Sequence, residues 1–178
     1  MAYELVPHPD FPPRGIRRVS VRWFPTRYAR LLLRWHVHGV EALSVPAFSG
    51  RARGDNLWET TCFELFLKDA GSSAYAEFNF SPSGRWAAYF FPAYRQGMTD
   101  IELEPGPDIS TDSGETIFVL NALVDIGLVA GTRAAGLSAV IDEKDGTRSY
   151  WALAHPAGKP DFHDPACFAL PLPAPQAA

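Results

Sequence analysis

Cysteine, methionine, excess positive charge and long apolar runs are all scarce in this chain. Two cysteines, Cys62 and Cys167, among 178 residues cannot build a disulfide framework, so both are expected to be reduced. No uninterrupted apolar stretch approaches the roughly 20 residues that span a bilayer, so no membrane partner is expected. The opening MAYELVPHPDFPPRG lacks a basic start followed by an apolar run, so it does not read as a signal peptide, and a cytoplasmic location is expected. Lys and Arg number 16 against 20 Asp and Glu, a net charge of −4, so nucleic acid is not an expected partner. The small cluster Arg14, Arg17, Arg18, Arg22 reads as a solvated strand edge. No nucleophile-and-base motif, phosphate loop or regularly spaced metal box is present. Hence no catalytic residue, metal or cofactor is expected, and the sequence names no reaction.

Aromatic residues are plentiful, at 13% within a hydrophobic content of 47%. Such side chains favour sheets and bury large areas, and the length suits one domain with a real core. That domain is expected over 1–178. Pro7, Pro9, Pro12 and Pro13 make 1–15 an extended lead-in, and 173–178 is a Pro/Ala-rich frayed tail. Alternation predicts strands over 19–24, 29–37, 62–69, 74–80, 85–91, 101–104, 116–124, 137–142, 149–153 and 168–172, with a short helical turn within 124–135. The segment 44–56 reads as a loop. Many short strands separated by turns mean an all-β fold, a jelly-roll-like antiparallel β-sandwich.

The most informative stretch runs from Trp58 to Ala88. If Phe63, Leu65 and Leu67 match Ala76, Phe78 and Phe80 in the core, Glu64 shares the opposite face with Tyr75, Glu77 and Asn79. A slip of one residue would bury both glutamates against the core, so the parity is well specified. Glu64 is expected nearly opposite Glu77, where like charges repel unless an arginine (Arg51, Arg53 or Arg85), a cation, a shared proton or water offsets them. The facing of the 85–91 strand is open, because both parities carry aromatics. Carboxylates and an amide beside aromatic rings suit a polyol, whose hydroxyl edge takes hydrogen bonds and whose C–H faces stack on rings. Trp58, Trp86, Trp151 and Phe162 are the aromatic candidates.

The run Trp58-Glu-Thr-Thr-Cys-Phe-Glu64 resembles the Trp-x5-Glu opening of family 9 carbohydrate-binding modules and the wider DOMON-like group. Ala76-Glu77-Phe78-Asn79 is similar to their following strand, and Phe162-His163-Asp164-Pro165-Ala166-Cys167-Phe168 to their aromatic-x-Asp-Pro-x-x-Phe ending. The resemblance spans about 20 to 172. It implies a non-catalytic domain binding a small-molecule carbohydrate or other polyol, with Trp58 as one stacking platform and Glu64 as an acceptor. Asn79 stands where the family tends to have arginine, Ser81 where it has asparagine and Phe162 where it has the second tryptophan. The expected ligand-binding set is therefore Trp58, Glu64, Glu77, Asn79 and Phe162, with Trp151 and His155 shaping the rim.

Four other readings stay open. Haem would need Met98 with His155 or His36. A glycosidase would use Glu64 and Glu77 as its carboxyl pair. His155, Asp161, His163 and Asp164 cluster in sequence, though Pro156, Pro160 and Pro165 favour a rigid closing loop in which His155 turns inward and holds the chain by a hydrogen bond. A flat aromatic face would instead fit a protein partner. Oligomeric state is not legible.

Overall fold

A computed structural model of the chain describes residues 1–26, 30–69, 71–127 and 132–172. Twelve strands follow one another: β1 Ala2–Pro7, β2 Arg18–Pro25, β3 Arg30–His38, β4 Cys62–Asp69, β5 Tyr75–Phe80, β6 Trp86–Phe91, β7 Thr99–Asp100, β8 Asp108–Ser113, β9 Ile117–Asp125, β10 Thr132–Asp142, β11 Arg148–Ala152 and β12 Leu170–Pro171. They form an antiparallel β-sandwich. One layer has the order β1-β2-β3-β9-β8, and the other β7-β6-β5-β4-β10-β11, with β12 beside β10. Strand β1 joins the layers, pairing with β2 through Ala2 to Leu5 and with β11 through Val6 and Pro7.

Side-chain alternation sets the packing. Leu31, Leu33, Trp35 and Val37 of β3 are buried and meet Phe63, Leu65, Leu67, Phe78 and Phe80 across the sandwich. The Trp35 ring lies 5.5 Å from Phe63 and 5.7 Å from Phe80. Phe63 pairs with Phe80, Leu65 with Phe78 and Leu67 with Ala76, so the expected core register holds.

The structure revises some boundaries. The lead-in carries β1, whose Tyr3 and Leu5 alternate ahead of the first proline. No strand covers 101–104; β7 precedes it, and the Ile101 N–H continues its pairing by donating to the Ala88 carbonyl at 2.9 Å. β8 went unpredicted because its sequence, DISTDS, is a polar edge strand with Ile109 alone buried. Strand β10 begins at Thr132, earlier than expected, while the strand expected over 168–172 shortens to Leu170–Pro171. The expected tail 173–178, Ala29 and part of the proposed helical turn lie outside the described residues. The Arg14, Arg17 and Arg18 side chains pair with Asp145, Glu41 and Glu4 at the surface.

Candidate functional site

The sheet formed by β6, β5, β4, β10 and β11 has a second face turned away from the core. Ladder pairing places Ala87, Asn79, Glu64, Ser138 and Ala152 in one row across it. The next row holds Tyr89, Glu77, Phe66 and Gly136. Two wall segments stand over these rows and bury most of their side chains. One is the short 3-10 turn Leu57–Glu59, which carries Trp58, and the other is the segment 160–168. Asp164 caps the turn Pro165–Cys167 by accepting from the Ala166 backbone N–H at 2.8 Å. Cys167 Sγ lies 3.2 Å from the carbonyl oxygens of both Ala154 and Asp161, and its one proton is shared between them, tying the segment down.

Gly136 is why the 160–168 segment can sit so close. A methyl group there would lie 3.1 Å from the Cys167 carbonyl oxygen and 3.3 Å from Phe66 Cβ. Between the walls remains a cavity of about 650 Å³, within the usual range of roughly 300–1,000 Å³ for small-molecule sites. Glu64 and Glu77 line it with Tyr89, Tyr150, Phe162 and Trp58. Trp58 is 49% exposed, so its ring stands at the mouth.

Both glutamates are almost fully buried, at 3% and 5% exposure. Ser138 Oγ donates to Glu64 Oε2 at 3.2 Å, and Asn79 Nδ2 donates to Glu77 Oε1 at 2.7 Å. Among the described residues, no hydrogen bond holds the other oxygen of either carboxylate. Burial raises the Glu64 carboxyl well above its usual range, and the neighbouring Glu77 charge raises it further. Burial also lifts Glu77, to about 6, while the Asn79 hydrogen bond and Arg95 pull it down.

His163 completes the polar floor. Its ring packs among Phe66, Phe91 and Tyr75, at centroid distances of 5.3, 5.2 and 5.7 Å. That burial, with the Arg95 charge, lowers its pKa to about 4 against a smaller opposing pull from Asp161. The imidazole is therefore neutral near pH 7. The Arg95 backbone N–H donates to Tyr75 Oη at 3.2 Å, and that hydroxyl shares a hydrogen bond with His163 Nδ1, 2.7 Å away. In the tautomer in which Tyr75 donates to Nδ1, the imidazole proton sits on Nε2, which lies 3.7 Å from Glu77 Oε2.

The expected site residues divide accordingly. Trp58, Glu64, Glu77 and Phe162 line the cavity. Asn79 lies behind it, steering Glu77 rather than facing a ligand. Glu64 stands opposite Asn79, with Glu77 opposite Phe66, so the two carboxylates are diagonal neighbours instead of a facing pair. Trp151 is not at the rim: it pairs with Ala139 on the core parity and packs inside the sandwich. The cavity receives the next residue of β11, Tyr150. His155 also lies away from the rim; its Nε2 meets the Val6 carbonyl at 2.9 Å, fixing the chain after β11 to β1. Trp86 turns toward the core, so β6 presents Tyr89 to the cavity.

None of the three arginines named as offsets reaches the carboxylates. Arg51 pairs with Asp108, Arg53 with Asp55 and Asp100, and Arg85 donates to the Ser49 carbonyl. Arg95 is the cation that lines the cavity, and it is held by Asp161 at 2.7 Å. Sequence reasoning missed Arg95, Tyr89 and Tyr150. The Ser81–Gly84 turn could have set Phe80 opposite Trp86 and thereby turned Tyr89 toward Glu77; nothing local points to Arg95. Among the described residues, no group of three or more His, Cys, Asp or Glu side chains could hold a metal ion, and no helix is long and apolar enough to cross a membrane.

No protein-family model matches the chain, and no match was found among curated proteins. Among solved structures, its fold is similar to that of a putative carbohydrate-binding protein from Bacteroides uniformis. The TM-score is 0.66, with 18% identity over 94% of this chain and 84% of that one. The two share an all-β sandwich architecture.

Proposed function

We propose that the cavity binds a carbohydrate or other polyol without chemical turnover. The observation that carries this reading is the pairing of two buried, half-satisfied carboxylates with aromatic walls and an exposed tryptophan at the mouth. Free carboxylate oxygens accept from hydroxyl groups, and rings cover the C–H faces of a sugar. The fold shared with the Bacteroides protein and the sequence resemblance to family 9 modules support the same assignment. Trp58 and Phe162 stack on the ligand, and Glu64 and Glu77 bind its edge. Calorimetric titration and glycan-array screening test this with wild type and Trp58→Ala. A sugar bound by wild type and lost or weakened at least tenfold in the variant supports it. No sugar bound, or equal binding by both proteins, refutes it.

A second reading, a glycoside-acting enzyme, draws on Glu77, whose carboxyl at about 6 suits proton transfer near neutral pH. Release of reducing sugar from a glycoside panel, abolished in Glu77→Gln with binding kept, would replace the first reading by this one.

A further inference from the structure

Charge bookkeeping around the cavity leaves a remainder. Four acidic residues line it: Asp55, Glu64, Glu77 and Asp161. Asp55 is neutralised by Arg53 at 2.9 Å and also accepts from the Tyr89 hydroxyl at 2.7 Å. Asp161 accepts from two of the three Arg95 nitrogens, Nη2 at 2.7 Å and Nε at 3.2 Å, together with the Tyr94 hydroxyl. Among the described residues, neither Glu64 nor Glu77 forms an ion pair with a Lys or Arg; His163 Nε2 stands 3.7 Å from Glu77 Oε2, and burial holds that ring neutral. Two adjacent carboxyl groups thus share one floor with one oxygen each turned free. Arg95 acts on both through space, but its guanidinium is engaged elsewhere.

Around that floor stand the rings of Tyr89, Tyr150, Phe162 and Trp58, with one face of Tyr89 taken by the Arg53 guanidinium 5.5 Å from its centroid. Aromatic faces attract cations, and a desolvated cation beside a carboxylate gains more than a neutral hydroxyl does. A purely neutral sugar would leave the Glu64–Glu77 repulsion in place or require one of the two groups to stay protonated. A ligand with one ammonium group among its hydroxyls would satisfy the free oxygens and cancel the repulsion together.

We infer that the ligand of this site is an amine-bearing polyol, with an amino sugar as the simplest member, whose ammonium sits between Glu64 and Glu77 against the aromatic walls. This rests on the polyol reading above and narrows it to a substrate class.

Isothermal titration of the full chain at pH 7 separates the two. The probes are glucose, galactose and mannose, their 2-amino counterparts, and the N-acetylated forms of those amines. Acetylation removes the charge while keeping the nitrogen, so it isolates the ammonium. The expected result is at least one amino sugar bound ten or more times tighter than both its neutral parent and its N-acetyl form. In Glu64→Gln/Glu77→Gln that preference should fall to within about threefold, with a circular dichroism spectrum and melting transition showing a folded protein. Neutral or N-acetylated sugars bound as tightly as the amines would overturn this inference and leave polyol binding standing. A preference that survives the double substitution would also overturn it. If no sugar of any of the three sets binds, the polyol reading fails and this inference with it.

Discussion

The two faces of the sheet built from β6, β5, β4, β10 and β11 are made by alternate residues of the same strands, yet they obey different rules. The inner face is dry: Phe63, Leu65, Phe78 and Phe80 are at most 1% exposed and meet only apolar neighbours from the opposing layer. The outer face is just as hidden from bulk water over much of its area, but it carries Glu64, Glu77, Asn79 and Ser138. Burial alone therefore does not mark a core. What distinguishes the faces is what covers them. A second sheet covers one with apolar side chains, and a loop with a 3-10 turn covers the other and leaves a cavity. The inner face spends its burial on stability, whereas the outer face accepts buried charge that stability alone does not require.

The sharpest way to break this contrast is to remove one large side chain from the dry face. Phe63 is fully buried, stacks on Phe118 and lies beside Trp35. Phe63→Ala should cost about 3–5 kcal/mol in urea unfolding, through lost transfer energy and an unfilled cavity. A loss below about 1 kcal/mol would mean that the two layers do not pack as described.

On the outer face the corresponding substitution should act with the opposite sign. The Glu77 carboxyl rises to about 6 in the folded protein. A carboxyl with a raised folded pKa favours the folded state at low pH and loses that contribution as pH rises through about 6. Glu77→Gln removes this penalty and should stabilise the protein above pH 7 by on the order of 2 kcal/mol, with the gain vanishing near pH 4. The groups facing Glu77 are Glu64, Asn79, His163 and, at longer range, Arg95. His163 has the reverse dependence: lowered to about 4, it is held neutral, and its contribution is lost as pH falls from its ordinary value through about 4. The difference between the two proteins isolates Glu77: Glu77→Gln should gain on wild type as pH rises from about 4.5 to about 6 and hold that gain above it, while the His163 slope is common to both. Melting temperature against pH, measured for both proteins, checks that difference.

These contrasts also explain what was legible in the sequence. Periodicity over Leu31 to Val37 and over Cys62 to Phe80 was enough for the sandwich and for placing Glu64, Glu77 and Asn79 on one face, because a one-residue slip would put charge into the dry core. The pairing offset was legible too: matching Phe63, Leu65 and Leu67 with Phe80, Phe78 and Ala76 sets Glu64 opposite Asn79, which the expectation of Glu64 nearly opposite Glu77 contradicts. Trp151 was misassigned for a different reason: composition marks a tryptophan as a platform, while its parity in β11 assigns it to the core and Tyr150 to the cavity. Arg95 and the wall built by 160–168 rest on long-range packing between segments with no shared period. Residue types alone could flag Asp161 and His163 as a cluster, but not that one would hold an arginine and the other a tyrosine.

The smallest expected effect tests how the covered face is closed. Gly136 lies in the row with Glu77 and Phe66, and its missing side chain leaves room for the Cys167 carbonyl. In Gly136→Ala the added methyl would sit 3.1 Å from that backbone oxygen, so the 160–168 segment must move by a few tenths of an ångström. A well-packed neighbour resists such a shift, and the cost should be about 1 kcal/mol. The readout specific to the wall is the Cys167 thiol, buried, raised to about 12, and bonded to two carbonyls of the covering chain. Its labelling by a thiol reagent should quicken severalfold in the variant, while Cys62, fully buried beneath the same sheet face, keeps its wild-type rate. Equal acceleration of both cysteines would mean that the whole sandwich has loosened. Acceleration of Cys167 alone would mean that the covering segment loosens independently of the sandwich beneath it.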